Sequence, residues 1–302
     1  MKRREFMRSA TLTAAVVTWA PQLMACGKRA EASNETLRDR FWMWGHEPET
    51  INGHYNIPIG NNIGMSAAIR SMGIPNVCVV TYLGKPEPPF DEYIRQFGDT
   101  KRVAWSILSG PPQKYTYEQQ KHEAFRLLEK MPNLTGFYLD DYFLGNAVPV
   151  AGSNISPACL TVEQVRDLRE EMQRLQQKPE LAVVLYTHQL HPGIRSHIDH
   201  FDVVSFWTWW ANDLAILEDN FKKYRDIVPD KPTLLGIYMW DFGNSKPITV
   251  ESMKLQLDFA LEKFKQEQID GMIFHCTPLC DLDLEAVHYS RKWIAEHGDE
   301  KV

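Results

Sequence analysis

Residues 134–142 read LTGFYLDDY, an apolar and aromatic run of strand length that breaks off in two adjacent carboxylates and a tyrosine. A short continuous apolar run bounded by polar residues suits a strand buried on both faces, as in a parallel sheet. Working outward, seven more stretches have the same form: Arg40–Trp44, Asn76–Tyr82, Arg102–Leu108, Leu181–Thr187, Asp202–Trp207, Thr233–Met239 and Gly271–His275. Longer amphipathic segments separate them, which is the sequence sign of repeated βαβ units. Eight such units between residues 38 and 302 predict an α/β fold, a single (β/α)8 TIM barrel. A doubly wound open sheet is the alternative. It would normally carry a glycine-rich phosphate turn, and neither GxGxxG nor GxxxxGK[ST] occurs.

The helices open at recognisable caps. Thr116 with Gln119 and Thr161 with Gln164 fit the capping box, in which a hydroxyl and a side-chain amide satisfy orphan backbone donors reciprocally. Further helices are expected after Asn212 and Thr249. Leu214, Leu217, Phe221, Tyr224 and Val228 form one apolar stripe, and Val250, Met253, Leu257, Ala260, Leu261 and Phe264 form another. Both stripes are read as core, and no site is assigned to them.

The chain has 302 residues, 44% of them apolar, 24% charged and 11% aromatic, which excludes collagen-like, coiled-coil and disordered classes. Residues 1–25 read as an export signal: Arg3 and Arg4 precede Phe6, and an apolar stretch from Ala10 to Ala20 is too short to span a bilayer. The arginine pair resembles the twin-arginine export motif, and Leu23 to Cys26 resembles a bacterial lipobox. Cys26 is therefore the expected lipidation site, residues 26–37 the tether, and the protein a lipoprotein anchored to a bacterial membrane outside the cytoplasm. Formal charge is −6, and −9 without residues 1–25, so nucleic acid is not an expected partner. The four cysteines beyond Cys26 are given no pairing, and oligomeric state is left open.

Barrel sites form at the carboxyl ends of the strands. Those positions hold Trp44, His46 and Glu47 after the first strand, Tyr82 after the second, Ser109 and Gly110 after the third, and Asp140, Asp141 and Tyr142 after the fourth. His188 follows the fifth strand, Trp207 and Trp209 the sixth, Tyr238, Trp240 and Asp241 the seventh, and His275 the eighth. Indole faces with interleaved carboxylates and hydrogen-bonding groups suit a sugar ring. Two carboxyl groups with separated pKa values can supply acid with base or nucleophile to a glycosidic bond. Asp140 is the first catalytic candidate, with Asp241, Glu47 and Asp141 as further ones. Trp44, His46, Tyr82, Tyr142, His188, Trp207, Trp209, Tyr238, Trp240 and His275 are expected to bind substrate.

The same 134–142 stretch resembles the strand-four motif DGxDxDxE of chitinase-like glycoside hydrolases. Residues 103–110 (VAWSILSG), 202–209, 234–243 (LLGIYMWDFG) and 270–275 (DGMIFH) are similar to their third, sixth, seventh and eighth strands. The resemblance implies a TIM barrel acting on carbohydrate. Gly136 matches the motif's glycine and Asp140 its last aspartate, whereas Thr135 and Tyr138 stand for its first two and Tyr142 stands where the proton-donating glutamate would be. The acid must then come from Asp140, Asp141 or another strand. Alternation puts residues 138, 140 and 142 on one face, which the resemblance turns toward the lumen, and leaves Asp141 at the rim or outward.

The resulting expectation is an exported glycoside hydrolase without a cofactor. A sugar-binding lipoprotein that has lost catalysis is one alternative. A metal-dependent barrel hydrolase or isomerase using His46, His188, His275, Asp140 and Asp241 is another, although no HxH, HExxH or paired CxxC spacing is present. His191, His197 and His200 are read as solvated.

Overall fold

The eight apolar runs meet edge to edge. In a computed structural model, which describes residues 35–108, 114–147 and 157–302, they form parallel strands β1 (Phe41–Gly45), β2 (Asn76–Val79), β3 (Arg102–Leu108), β4 (Leu134–Leu139), β5 (Glu180–Tyr186), β6 (Val203–Trp207), β7 (Thr233–Tyr238) and β8 (Gly271–His275). They lie side by side in chain order, and β8 pairs with β1 to close the barrel, Trp44 opposite His275. Closure leaves no strand edge exposed. The expected signal at 1–25, Cys26, the start of the tether, and Ser109 with Gly110 lie outside the described residues. Among the described residues no helix is long and apolar enough to cross a membrane.

Seven α-helices surround the barrel among the described residues: α1 (Met65–Met72), α2 (Tyr117–Leu127), α3 (Val162–Arg174), α4 (Arg195–Ile198), α5 (Leu217–Ile227), α6 (Val250–Lys265) and α7 (Glu285–His297). The second βα unit lacks an α-helix. Between β2 and β3 the chain makes only a 3-10 turn, Tyr93–Phe97, because Pro86, Pro88 and Pro89 remove backbone donors and fix φ ahead of it. Both capping boxes form: Thr116 Oγ1 accepts from Gln119 N (3.2 Å) and Thr161 Oγ1 from Gln164 N (3.3 Å). The helix expected at Asn212 starts later, at Leu217, after a 3-10 turn over Ala211–Ile216.

Side chains fill the lumen in tiers. At the bottom the Arg102 guanidinium lies 4.9 Å from the Trp42 ring and donates to Asn76 Oδ1 (3.2 Å). Above it Trp44 meets Tyr138 and Trp207 edge-on, each at 5.4 Å. Gly236 on β7 makes room for the Trp207 ring, since a Cβ there would come within 2.0 Å of it. Outward-facing rings such as Phe137 against Phe125 (5.0 Å) and Phe206 against Tyr224 (4.4 Å) bind the helices to the strands.

Residues 35–38 and 298–302 meet beneath the barrel. Leu37 N donates to Glu300 O (2.8 Å), Arg38 N to Gly298 O (2.7 Å) and Val302 N to Glu35 O (3.3 Å). Arg38 also pairs with Asp299 at 3.0 Å, and Leu37 is buried. Residues 35–37, expected in the tether, are thus part of the barrel.

Candidate active site

The carboxylates at the end of β4 owe their positions to one backbone feature. Asp140 N donates to Leu108 O (2.8 Å), which carries the β3–β4 ladder one residue past the strand and keeps Asp140 on the inward face with Tyr138. Asp141 then adopts φ of 46°, the left-handed region that short polar side chains tolerate best after glycine. Alternation stops there. The Asp141 carboxylate accepts from Tyr186 Oη (2.9 Å) on β5, and its backbone N–H donates to Asp140 Oδ1 (3.0 Å). Tyr142 leaves the lumen altogether. Its hydroxyl donates to Leu160 O (3.2 Å) and meets His197 Nδ1 at 2.7 Å, and its ring packs on Phe143 and Phe201. Tyr142, expected to touch substrate, is corrected to a buried packing residue, and His197, expected in solvent, is its buried partner.

The two neighbouring acids have different surroundings. Burial, and secondly repulsion from Asp141, holds the Asp140 carboxyl well above the usual carboxylate range. Asp141 is also raised by burial, but the Tyr186 hydroxyl opposes the shift. The residue itself is exposed at the mouth of the barrel. The hydroxyls of Tyr55, Tyr82, Tyr186 and Tyr238 are all raised, first by burial and then by charges that include Asp141. Four neutral phenols from separate elements therefore face the carboxylate end of β4.

The centre of the mouth is His275. Its ring lies 4.7 Å from Phe242, 5.0 Å from Tyr238, 5.5 Å from His46, 5.8 Å from Trp207 and 6.2 Å from Trp44, stacked on the last. Trp44, Trp207 and Trp240 are only 1–3% exposed, so these expected sugar platforms are the packed floor and wall of the site. The Trp207 indole donates to Ser205 Oγ (2.9 Å), and that of Trp240 donates to Tyr55 O (3.0 Å). Trp209 is half-buried, held edge-on by Tyr55, Tyr186 and Tyr238 at 5.7–5.9 Å. Tyr82 packs on His46 (5.4 Å), and its hydroxyl meets His54 Nδ1 (3.0 Å). His188 stacks on Tyr186 (5.3 Å) against Trp210 (5.1 Å).

Asp241 and Glu47 are committed elsewhere. Asp241 is buried, and its Oδ1 and Oδ2 accept from the Asn244 amide, its Oδ1 also from the backbone N–H groups of Asn244 and Ala211 (2.9–3.3 Å over these four bonds). It holds the loop after β7. The Glu47 carboxylate accepts a hydrogen bond from Tyr93, whose hydroxyl also touches Met65 at the start of α1. Each of the two expected partners thus has a hydrogen-bonding partner of its own.

Sequence reasoning missed Tyr186, Tyr55 and Phe242. Tyr186 is the last residue of β5, and reading that strand one residue too long hid it. Cys276, which follows His275 at the end of the eighth strand, carried no assigned role in the sequence reading. One ligand atom from each of His46, His275 and Cys276 lies within 4.8 Å of the others, a convergence created by the pairing of β1 with β8. A separate cleft of about 360 Å³ beside α2, lined by Phe90, Trp105, Tyr115 and His122 among others, includes neither strand-four acid.

With the site described, the chain can be set beside known proteins. It matches no protein-family model and no curated protein. Solved barrels do match it. The fold is theirs. A Bacteroides thetaiotaomicron protein designated an α-L-fucosidase superposes with a TM-score of 0.55 at 13% identity, covering 89% of this chain and 98% of its own. Active domain 2 of a Pyrococcus furiosus chitinase gives 0.56 at 14%, covering 88% and 98%. An endo-α-mannosidase from Bacteroides thetaiotaomicron gives 0.51 at 12%, covering 87% and 98%.

Proposed function

We propose that this protein is a glycoside hydrolase-like enzyme acting on a glycan or glycoside by carboxylate chemistry. The observation that carries the reading is the pair Asp140 and Asp141 at the mouth of the barrel, adjacent in chain but unlike in environment. Asp140 is buried and repelled by its neighbour, which suits a carboxyl that keeps its proton and gives it to a leaving oxygen. Asp141 accepts from Tyr186 and reaches solvent, which suits a carboxylate that stays charged and stabilises the positive charge growing on a sugar ring. Both acids belong to one strand end, so they approach a glycosidic bond from one side. The nucleophile then comes from the other face, as a water or as a group of the substrate itself.

Trp209 and Tyr55 are the aromatic surfaces left open for a sugar ring, and the exposed Tyr55 carries a hydroxyl that can bond to it. The fold likeness to barrels named as fucosidase, chitinase and mannosidase supports carbohydrate as the substrate class. The twin-arginine and lipobox-like sequences support export and lipid anchoring at Cys26. A non-catalytic carbohydrate-binding role is the second reading, favoured by Tyr142, which stands where the motif's acid would be and is packed away from the lumen. Purified protein assayed on chito-, fuco- and manno-oligosaccharides and on aryl glycosides separates the two. Hydrolysis that Asp140→Asn lowers about a hundredfold or more is expected. Binding without release of reducing sugar would establish the second reading, and wild-type turnover in Asp140→Asn would remove Asp140 from the acid role.

A further inference from the structure

The geometry points to a transition-metal site of the zinc class at the junction of β1 and β8, built from His46, His275 and Cys276. One ligand atom of each lies within 4.8 Å of the others. Zinc bonds of about 2.0–2.1 Å to imidazole and 2.3 Å to thiolate require donors some 3.3–3.8 Å apart, so closing the site needs side-chain shifts of about an ångström. Its frame is rigid. Trp44 pairs with His275 across the two strands, and Thr277 Oγ1 donates to His46 O (2.8 Å) while accepting from His46 N (2.9 Å).

Independent observations mark these side chains as ligands without an ion. Nδ1 of His46 and Nδ1 of His275 are buried with no hydrogen-bond partner, although His46 is only 6% exposed. Buried ring nitrogens are ordinarily paired, and two unpaired imidazole nitrogens beside a thiol are the donor set that a coordination site needs. Cys276 lies buried beside them, and a thiol ligates as its thiolate. Nitrogen and sulfur donors select a borderline or soft ion over magnesium or calcium, which take oxygen. Three protein ligands leave a fourth position for water or a substrate oxygen.

On binding, the Cys276 S–H bond breaks, sulfur keeps the electron pair and bonds the metal, and the proton passes to solvent. The histidines release none. The test uses purified full-length protein stripped with chelator and titrated with Zn2+, then with Co2+ as a spectroscopic probe, in the absence of any sugar. Expected are uptake of one ion per chain, release of about one proton per ion near neutral pH, and a thiolate-to-cobalt charge-transfer band in the near ultraviolet. Cys276→Ser should abolish the band, and His46→Gln should weaken binding more than about a hundredfold, beyond the 10–100-fold typical of residues that only support a ligand. Cys280→Ser should leave the band and the affinity intact. Absence of stoichiometric uptake, or equal uptake in His46→Gln with native circular dichroism, overturns the site; if Cys276→Ser fails to fold, His46→Gln decides. The ion is not needed by the carboxylate chemistry proposed above. Metal uptake without hydrolysis upholds this site alone, and hydrolysis without uptake upholds the other alone.

Discussion

Asp140 ends β4 in a place where its charge is unwelcome, and that has consequences in two measurements. A carboxyl raised in the folded protein binds its proton more tightly there than in the unfolded chain. Its contribution to stability is complete at acid pH and is lost as pH climbs from the ordinary carboxylate range through the raised value. Asp140→Asn removes that loss. The variant should be more stable than wild type in denaturant at neutral pH, with the difference shrinking toward acid, while turnover falls. Asp141→Asn tests the coupling: without the neighbouring charge the Asp140 carboxyl loses its proton more readily, so the alkaline limb of kcat/KM against pH should move to lower pH. An unmoved limb would mean that the limb reports another group. At this scale the sequence was readable only in part. Asp140 and Asp141 stand out as acids after an apolar run, but nothing in the residue types told that Asp141 would turn left-handed and send Tyr142 outward. Asp241 and Glu47 look equally catalytic on paper, and only the placement of Asn244 and Tyr93 shows them occupied.

Among the elements, the strands were the most legible because both their faces are buried, so each reads as an unbroken apolar run. β3 and β8 have the expected ends, and the others shift by one to three residues where pairing, which the sequence does not display, decides the last hydrogen bond. The two capping boxes form because they are local, needing only residues three apart. The missing helix between β2 and β3 is proline's doing and was legible in principle. The dependence of β6 on β7 was not. Gly236 exists to admit the indole of Trp207, and Gly236→Ala should displace that ring and with it the floor under His275. The expected loss is about 1–3 kcal/mol in chemical denaturation, and a variant as stable as wild type would show that the lumen relaxes more easily than its packing suggests.

Over the whole molecule, closure decides both stability and where the chemistry can be. His46 and His275 lie far apart in the sequence, and it is the closure expected of a (β/α)8 barrel, with β8 paired to β1, rather than any local ligand spacing, that brings them together. That seam is reinforced below by the bonds among residues 35–38 and 298–302. Removal of residues 298–302 should lower the melting temperature, and the loss should be worth about 1–3 kcal/mol given two or three net hydrogen bonds. Unfolding of the intact chain should be one transition by fluorescence and circular dichroism alike. The same lower seam fixes a direction in space. Glu35, the first described residue, sits on the underside, on the face opposite the ring of His275, Tyr238 and Asp141. A contact made through that lower seam would hold the barrel by its base and leave the open end, with His275, Tyr238 and Asp141, unobstructed on the far side.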